Sequence, residues 1–156
     1  MEQHYYIILI FLNYDCYIVK NANIVGSVQP QKTHLLPRKN TIVIVDDDAA
    51  ILEAMKMILE LYNYEVETIA EGDLLSKLAL LQPKLLFLDI CMSGVDGGDI
   101  CKNLKMSEAT KDIPVIMISA SYNLREVTQS SGADDFLAKP FELNDLLSKV
   151  NKYLLN

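Results

Sequence analysis

The chain has 156 residues, of which 51% are hydrophobic, enough for one globular domain with its own core and a short additional segment. Charge is uneven, because residues 1–39 hold four basic and two acidic side chains, whereas residues 40–156 hold 10 basic and 19 acidic ones. Duplex binding depends on Lys and Arg side chains that neutralise phosphates, so we expect no direct binding of nucleic acid.

Residues 1–39 differ in pattern from the rest. The apolar run from Tyr5 to Leu12 is far shorter than the roughly 20 residues that a membrane-spanning helix needs. Glu2 replaces the basic start of a signal peptide, and the stretch from Gln29 to Asn40 is typical of a linker. We therefore expect a poorly ordered N-terminal extension and no membrane association. Three cysteines without CxxC spacing favour a reducing, cytoplasmic location.

From Thr41 onward, strand patterns alternate with helical patterns. In chain order the sequence predicts a strand over Thr41–Val45, a helix with the apolar stripe Ile51, Met55, Ile58, Leu59 and Tyr62, an edge strand over Val66–Ile69 and a helix over Gly72–Leu81. A strand over Leu85–Leu88 and a helix over Asp99–Met106 follow, and then a strand after Pro114 and a polar helix over Tyr122–Ser131 ended by Gly132. The last two predicted elements are a strand over Phe136–Ala138 and a helix carrying Leu143, Leu147, Val150 and Leu154. Five strand–helix units predict an α/β fold with a doubly wound, five-stranded parallel sheet.

Four predicted strands are followed or ended by polar groups, namely Asp46-Asp47-Asp48, Asp89, Ser119 and Lys139. The carboxyl ends of parallel strands meet at one edge of the sheet, so these groups are expected to share one site. Adjacent carboxylates repel by about 4 kcal/mol per pair at an effective dielectric near 20, whereas a helix dipole returns only about 0.3–1 kcal/mol. A cation is therefore expected, and an oxygen-only ligand set favours Mg²⁺ or Mn²⁺.

Each of these groups has a structural explanation when it is taken alone. One or two acids could complement a helix N-terminus, and Asp89 could cap a loop. Ser119 could satisfy turn backbone, and Lys139 could be a solvated lysine before a proline. Their joint occurrence in this order instead favours a site that handles phosphoryl groups.

The motifs resemble the receiver domain of two-component response regulators, and the resemblance extends from Asn40 to the end of the chain. The matching segments are Val45-Asp46-Asp47-Asp48, Leu88-Asp89-Ile90-Cys91-Met92 with Asp96-Gly97, Ile118-Ser119-Ala120 and Lys139-Pro140-Phe141. The resemblance implies a flavodoxin-like (βα)5 fold for residues 40–156.

The resemblance also implies a role for each residue of the site. Asp89 would be the phosphoacceptor, and Asp46, Asp47, Asp89 and the backbone carbonyl of Cys91 would bind Mg²⁺. Ser119 would hydrogen-bond the phosphoryl oxygens, Lys139 would pair with Asp89 and then with the phosphate, and Phe136 would stand at an aromatic switch position. A cis peptide bond is implied between Lys139 and Pro140.

The implied function is that of a signalling protein, not an enzyme. It would take a phosphoryl group from a histidine kinase or a histidine phosphotransfer protein and signal to a downstream protein through a face within residues 122–154. Because no output domain follows the last helix, we expect a stand-alone receiver. Ser93 replaces a usual proline and Gly98 replaces a usual apolar residue, and both changes are expected to loosen the loop after Asp89.

Two alternatives are weighed against this interpretation. A haloacid-dehalogenase-like phosphatase would use Asp46 as nucleophile with Asp48 and the late acidic pair Asp134-Asp135. In that family the lysine precedes the acidic pair, whereas Lys139 follows it, and Asp89 would have no role. A receiver-like module that binds partners without phosphorylation is disfavoured because every catalytic group is present.

Overall fold

The structure is a computed structural model that describes residues 7–12, 15–20, 23–24, 41–70, 74–92 and 94–154. The first three ranges are strands β1 (Ile7–Leu12), β2 (Asp15–Lys20) and β3 (Asn23–Ile24), which form an antiparallel sheet in the order β1-β2-β3. These strands are not among the elements predicted from the sequence. The predicted linker lies outside the described residues, and the assignment of residues 1–39 as an extension stays a prediction.

Residues 41–154 contain the main sheet and five helices. The elements are β4 (Thr41–Val45), α1 (Ala49–Leu61), β5 (Glu65–Ile69), α2 (Leu74–Leu81), β6 (Leu85–Asp89), β7 (Cys91–Met92), β8 (Val95–Asp96), α3 (Gly97–Met106), β9 (Val115–Ser119), α4 (Leu124–Ser131), β10 (Asp135–Ala138) and α5 (Leu143–Leu154). Among the described residues, no helix is both long and apolar enough to cross a lipid bilayer.

The main sheet has five parallel strands in the order β10-β9-β6-β4-β5, which confirms the predicted doubly wound fold. After β4 the chain adds β5 on one side and then returns to add β6 on the other. The carboxyl ends of β4 and β6 therefore lie at the point where the strand order reverses, where open α/β sheets bind ligands. β7 and β8 form a separate antiparallel pair in the loop after β6.

The core has two layers, one on each face of the sheet. Every residue of β4, β6 and β9 is buried, which explains why these strands are continuous apolar runs without alternation. One face packs against α1 and α5, with Ile44 and Phe87 on the sheet side. The other face packs against α2, α3 and α4, with Val45 and Leu88 on the sheet side.

α4 begins at Leu124, so the prediction of a helix from Tyr122 is wrong by two residues. Residues 121–123 form a turn instead, in which the backbone N–H of Leu124 donates to the carbonyl of Ser121, and Tyr122 is fully exposed. Gly132 ends the helix with a φ of 77°, as its position predicts, since this left-handed conformation favours glycine.

α4 also buries more than the sequence predicts. Leu124 is buried and Val127 half-buried, but Thr128 and Ser131 are buried as well. Their hydroxyls donate to helix carbonyls, Thr128 Oγ1 to Leu124 at 2.7 Å and Ser131 Oγ to Thr128 at 3.2 Å. Because these hydrogen bonds satisfy the hydroxyls, short polar side chains are accommodated where the pattern predicts solvent.

Two other helix ends differ from their predictions, and a third is not tested. α3 begins at Gly97, two residues before Asp99, because the Asp96 side chain caps it by accepting from the backbone N–H of Gly98 at 2.7 Å. α1 ends at Leu61, so Tyr62 follows the helix and is 48% exposed. For α2 the described part begins at Leu74, and the predicted start lies outside the described residues.

Candidate functional site

Four strands bring the predicted polar groups to one edge of the sheet. Val45 pairs with Leu88, so the residues that follow them, Asp46 and Asp89, lie side by side. Ser119 pairs with Ala138, and the backbone N–H of Lys139 donates to the Ser119 carbonyl at 2.8 Å. The convergence that the strand pattern predicts is therefore present in the structure.

Lys139 lies between two buried carboxylates. Its Nζ atom is 2.9 Å from Asp46 Oδ2 and 2.9 Å from Asp89 Oδ1, and these acids are only 2% and 5% exposed. Burial by itself lowers the pKa of Lys139, but the hydrogen bonds to both acids outweigh it and raise the pKa above its usual 10.5. At neutral pH the site therefore holds a permanent ammonium in contact with both acids. The peptide bond between Lys139 and Pro140 is cis, as the resemblance implies.

The second oxygen of each buried carboxylate accepts a backbone hydrogen bond. Asp46 Oδ1 accepts from the N–H of Asp48 at 2.9 Å, and Asp89 Oδ2 accepts from the N–H of Cys91 at 2.9 Å. These bonds fix the orientation of both carboxylates, because each is held at two points by groups on different elements. Among the described residues, no buried side-chain nitrogen or oxygen lacks a hydrogen-bond partner.

Three carboxylates form a group that could hold a metal ion. One oxygen each from Asp46, Asp47 and Asp89 lies within 4.8 Å of the other two, and Asp47 is exposed while its neighbours are buried. Carboxylate oxygens are the ligands that Mg²⁺ prefers, so the donor set fits the predicted ion. Asp48 is not part of this group, since its side chain caps α1 by accepting from Ala50 and Ile51 at 2.8 and 3.3 Å.

Ser119 is buried at the end of β9, and its hydroxyl oxygen accepts a backbone hydrogen bond. Ser119 Oγ accepts from the backbone N–H of Ser121 at 3.1 Å and lies 3.8 Å from Cys91 Sγ. From the sequence, only a backbone role was predicted for Cys91, and none for Ser121. The signal for Cys91 was its position two residues after Asp89, which places both side chains on the same side of an extended segment.

Phe136 is half-buried in β10 and lies near two cationic side chains. Arg125 Cζ in α4 is 5.5 Å from the ring centroid, and Lys149 Nζ in α5 is 5.7 Å from it. Both distances fall within the range of a cation–π contact. These neighbours were not predicted, because α4, α5 and β10 are separate elements whose packing no local pattern specifies.

The late acidic pair lies away from the site. Asp134 Oδ2 accepts from the backbone N–H of Val115, the first residue of β9, and pairs with Lys105 Nζ at 2.7 Å. Asp135 starts β10 and pairs with Lys149 at 2.6 Å and Lys152 at 2.7 Å. Both acids lie at the amino end of β10, whereas Asp46 follows the carboxyl end of β4. The phosphatase alternative therefore lacks its acidic pair near Asp46.

Replacement of Asp135 by Asn is expected to destabilise the fold at neutral pH but not in strong acid. Burial by itself raises the pKa of Asp135, but hydrogen bonds from Lys149, Lys152 and the Phe136 N–H outweigh it and hold the pKa at about 2. A lowered pKa stabilises the fold above the ordinary value of 3.8, and this contribution is lost as the pH falls through about 2. Urea unfolding of both proteins at neutral pH and near pH 2 measures the change.

The matched control is Asp99→Asn, because Asp99 is exposed and pairs with Lys102 within one helix. This variant is expected to unfold like the unchanged protein at both pH values. A difference between Asp135→Asn and the unchanged protein that stays constant down to pH 2 would contradict the role of the carboxylate charge.

A sequence model of the response regulator receiver domain matches residues 42–151 of this chain. The regulator RpaA of Synechocystis, described as a DNA-binding dual master transcriptional regulator, is 40% identical over 116 residues, which cover 72% of this chain and 48% of RpaA. The nisin biosynthesis regulatory protein NisR of Lactococcus lactis is 39% identical over 112 residues, 70% of this chain and 48% of NisR. The chain thus spans about half the length of these curated relatives.

Solved structures show the same similarity in three dimensions. The crystal structure of a putative response regulator from Chloroflexus aurantiacus superposes with a TM-score of 0.70 at 31% identity. The match covers 76% of this chain and all of the Chloroflexus chain.

Proposed function

The chain belongs to the family of response regulator receiver domains, and from this membership we propose that Asp89 accepts a phosphoryl group in two-component signalling. The observation that carries the proposal is the position of Lys139 between Asp46 and Asp89, beside the exposed Asp47. An ammonium at this place offsets the negative charge of both acids. A donor phosphoryl group, itself anionic, therefore meets less repulsion on approach.

The proposed transfer proceeds by attack of an Asp89 carboxylate oxygen on phosphorus. A bond forms between this oxygen and phosphorus, and the bond from phosphorus to the donor nitrogen breaks, so the imidazole of the donor leaves and takes up a proton. The product is an aspartyl phosphate. Lys139 and the hydroxyl of Ser119 are proposed to contact the new phosphoryl oxygens.

We propose that Asp46, Asp47, Asp89 and the backbone carbonyl of Cys91 are the metal ligands. The proposal for Cys91 rests on the family resemblance alone. When bound, Mg²⁺ supplies positive charge that draws the phosphoryl oxygens and the carboxylates together. Mn²⁺ has the same preference for oxygen ligands and is the proposed substitute. The grouping of three carboxylates within 4.8 Å supports this assignment.

Replacement of Asp47 by Ala is expected to abolish metal binding without destabilising the metal-free fold. Asp47 is exposed and lies in the carboxylate group, so its removal relieves repulsion between like charges. Thermal unfolding without metal should give a midpoint equal to or above that of the unchanged protein, and Mg²⁺ should no longer raise it. A clear loss of metal-free stability would mean that Asp47 is chiefly structural.

Receiver domains interact with histidine kinases, and a kinase or a histidine phosphotransfer protein is the proposed donor. The output is proposed to pass through a face within residues 122–154, because Ser119 and Phe136 connect the site to α4, β10 and α5. RpaA is described as DNA-binding, but the match covers about half of it. For residues 40–156 we propose signalling through protein contacts, since their acidic balance opposes direct DNA binding.

The free thiols of Cys91 and Cys101 support the proposed reducing, cytoplasmic location.

The test of the proposed function is incubation with Mg²⁺ and a small acyl phosphate or phosphoramidate donor, followed by intact-protein mass spectrometry. One phosphoryl group per chain is the expected result. A chain that stays unlabelled with every donor would favour the module that binds partners without phosphorylation.

A further inference from the structure

Gly98 lies in the first turn of α3, and the space for a side chain at this position is occupied by α4. A Cβ atom placed on Gly98 would lie 2.9 Å from Val127 Cγ1 and 3.0 Å from Asp96 Oδ1, closer than ordinary contacts. Val127 is β-branched, so its side chain has few alternative rotamers in a helix. The missing side chain of Gly98 therefore allows α3 and α4 to pack closely at this point.

The start of α3 rests directly on the strand that carries the phosphoacceptor. A Cβ atom on Gly97 would lie only 2.1 Å from the backbone oxygen of Asp89, so only glycine fits there. The N–H of Gly97 also donates to the carbonyl of Ile90 at 2.9 Å. The first turn of α3 thus connects the backbone of Asp89 to α4.

The amino-terminal end of α4, which contains Val127, is also held through Ser119. The hydroxyl of Ser119 accepts from the N–H of Ser121, whose carbonyl in turn accepts from the N–H of Leu124 at 3.3 Å. Val127 lies three residues after Leu124, on the same side of the helix. Two contacts therefore hold the start of α4. One runs from Ser119 through Ser121, and the other is the packing of Val127 into the space beside Gly98.

We propose that the contact between Gly98 and Val127 holds α4 in its resting position and sets the cost of moving it, an inference that rests on the proposed function. When the Ser119 hydroxyl turns to the phosphoryl oxygens, the N–H of Ser121 loses its acceptor and the start of α4 is released. Val127 must then leave the gap at Gly98 before α4 can shift. The departure from the family pattern at position 98 is thus a device that favours the resting state.

The inference predicts the direction of a substitution effect. A methyl group at position 98 raises the energy of the resting position, because it meets Val127, and leaves a displaced α4 unaffected. The equilibrium then moves toward the displaced position. Since coupling between two sites is reciprocal, Asp89 must bind a phosphoryl mimic more tightly in the same variant.

The experiment measures beryllofluoride binding by calorimetry in the presence of Mg²⁺, using the full chain. Gly98→Ala is expected to tighten the dissociation constant by about fivefold or more, the lower end of ordinary coupling between sites. It is also expected to increase amide hydrogen exchange in α4 without beryllofluoride. If Gly98→Ala does not fold, Val127→Ile tests the same contact from the α4 side and should shift affinity in the same direction.

The control is the same pair of measurements in a Val127→Ala background. Adding Gly98→Ala there is expected to change affinity less than twofold, because the colliding methyl group of Val127 is absent. Helix propensity changes equally in both backgrounds, so it cannot produce the difference. Unchanged or weaker binding by Gly98→Ala, or an equal shift in both backgrounds, would overturn the inference. Failure of the unchanged protein to bind beryllofluoride would instead contradict the proposed function itself and remove the basis of the inference.

Discussion

Replacement of Asp89 by Asn is expected to abolish phosphoryl labelling by small donors in the presence of Mg²⁺. Asn keeps the size of the side chain but lacks the anionic oxygen that attacks phosphorus. Asp89 is 5% exposed, and its two carboxylate oxygens are held in place by Lys139 and by the Cys91 N–H. Intact-protein mass spectrometry with peptide mapping measures both the amount and the place of the label.

The matched control is Asp48→Asn, which changes an acid in the loop after β4 that lies outside the carboxylate group. Asp48 caps α1, and Asn caps helices as well as Asp does, so this variant should fold and label normally. Labelling that survives Asp89→Asn, or that moves to Asp46, would contradict the receiver proposal and favour the phosphatase. Loss of labelling in both variants would mean that labelling also depends on the loop after β4, so the result with Asp89→Asn would not identify Asp89 as the acceptor.

The edge of the sheet that carries the site could be predicted, because each of its polar groups lies next to a strand in the sequence. Asp46, Asp89, Ser119 and Lys139 each end or follow a run of buried strand residues, and a parallel sheet brings such ends together. The alternation of strands and helices predicted a parallel five-stranded sheet, whereas the order of its strands is known only from the structure. What the pattern did not contain was the distance between the groups, and hence the contact of Lys139 with both acids.

The parts that escaped prediction depend on packing between distant elements. Arg125 and Lys149 lie beside Phe136 only because α4 and α5 both flank β10. Gly98 was expected to loosen a loop, yet it lies in α3 with its N–H bound to Asp96 and its open side facing Val127. A single sequence shows that a side chain is missing at position 98 but not which neighbour fills the space.

The two acidic pairs also show that a sequence motif does not reveal which groups surround it in the fold. Asp134-Asp135 and Asp46-Asp47 are equally conspicuous as sequence motifs, but they occupy opposite ends of their strands. The first pair is neutralised by lysines of α3 and α5, whereas Asp46 shares one lysine with Asp89. Asp46 and Asp89 are thus two buried carboxylates that share one ammonium, and the proposed Mg²⁺ would offset the remaining negative charge.

Replacement of Lys139 by Met is expected to lower the stability of the metal-free protein by about 3–5 kcal/mol, the usual cost of removing one partner from a buried ion pair. Met retains the length of the side chain but leaves Asp46 and Asp89 buried without their cation. The raised pKa of Lys139 means that this stabilisation is fully present below pH 10.5 and is lost as the pH rises further. Urea unfolding without metal from pH 7 to pH 10 should therefore show a constant difference.

The same variant separates the two sources of positive charge at the site. Mg²⁺ should raise the unfolding midpoint of Lys139→Met more than that of the unchanged protein, because the ion replaces part of the missing charge. Phosphoryl labelling should still be slowed strongly, since the ion cannot also take the place of the ammonium against the phosphoryl oxygens. Lys102→Met is the control, because Lys102 is an exposed partner of Asp99 and its removal should change neither property. Normal labelling of Lys139→Met, with stability restored by Mg²⁺, would mean that Lys139 only balances charge in the fold and has no part in the transfer.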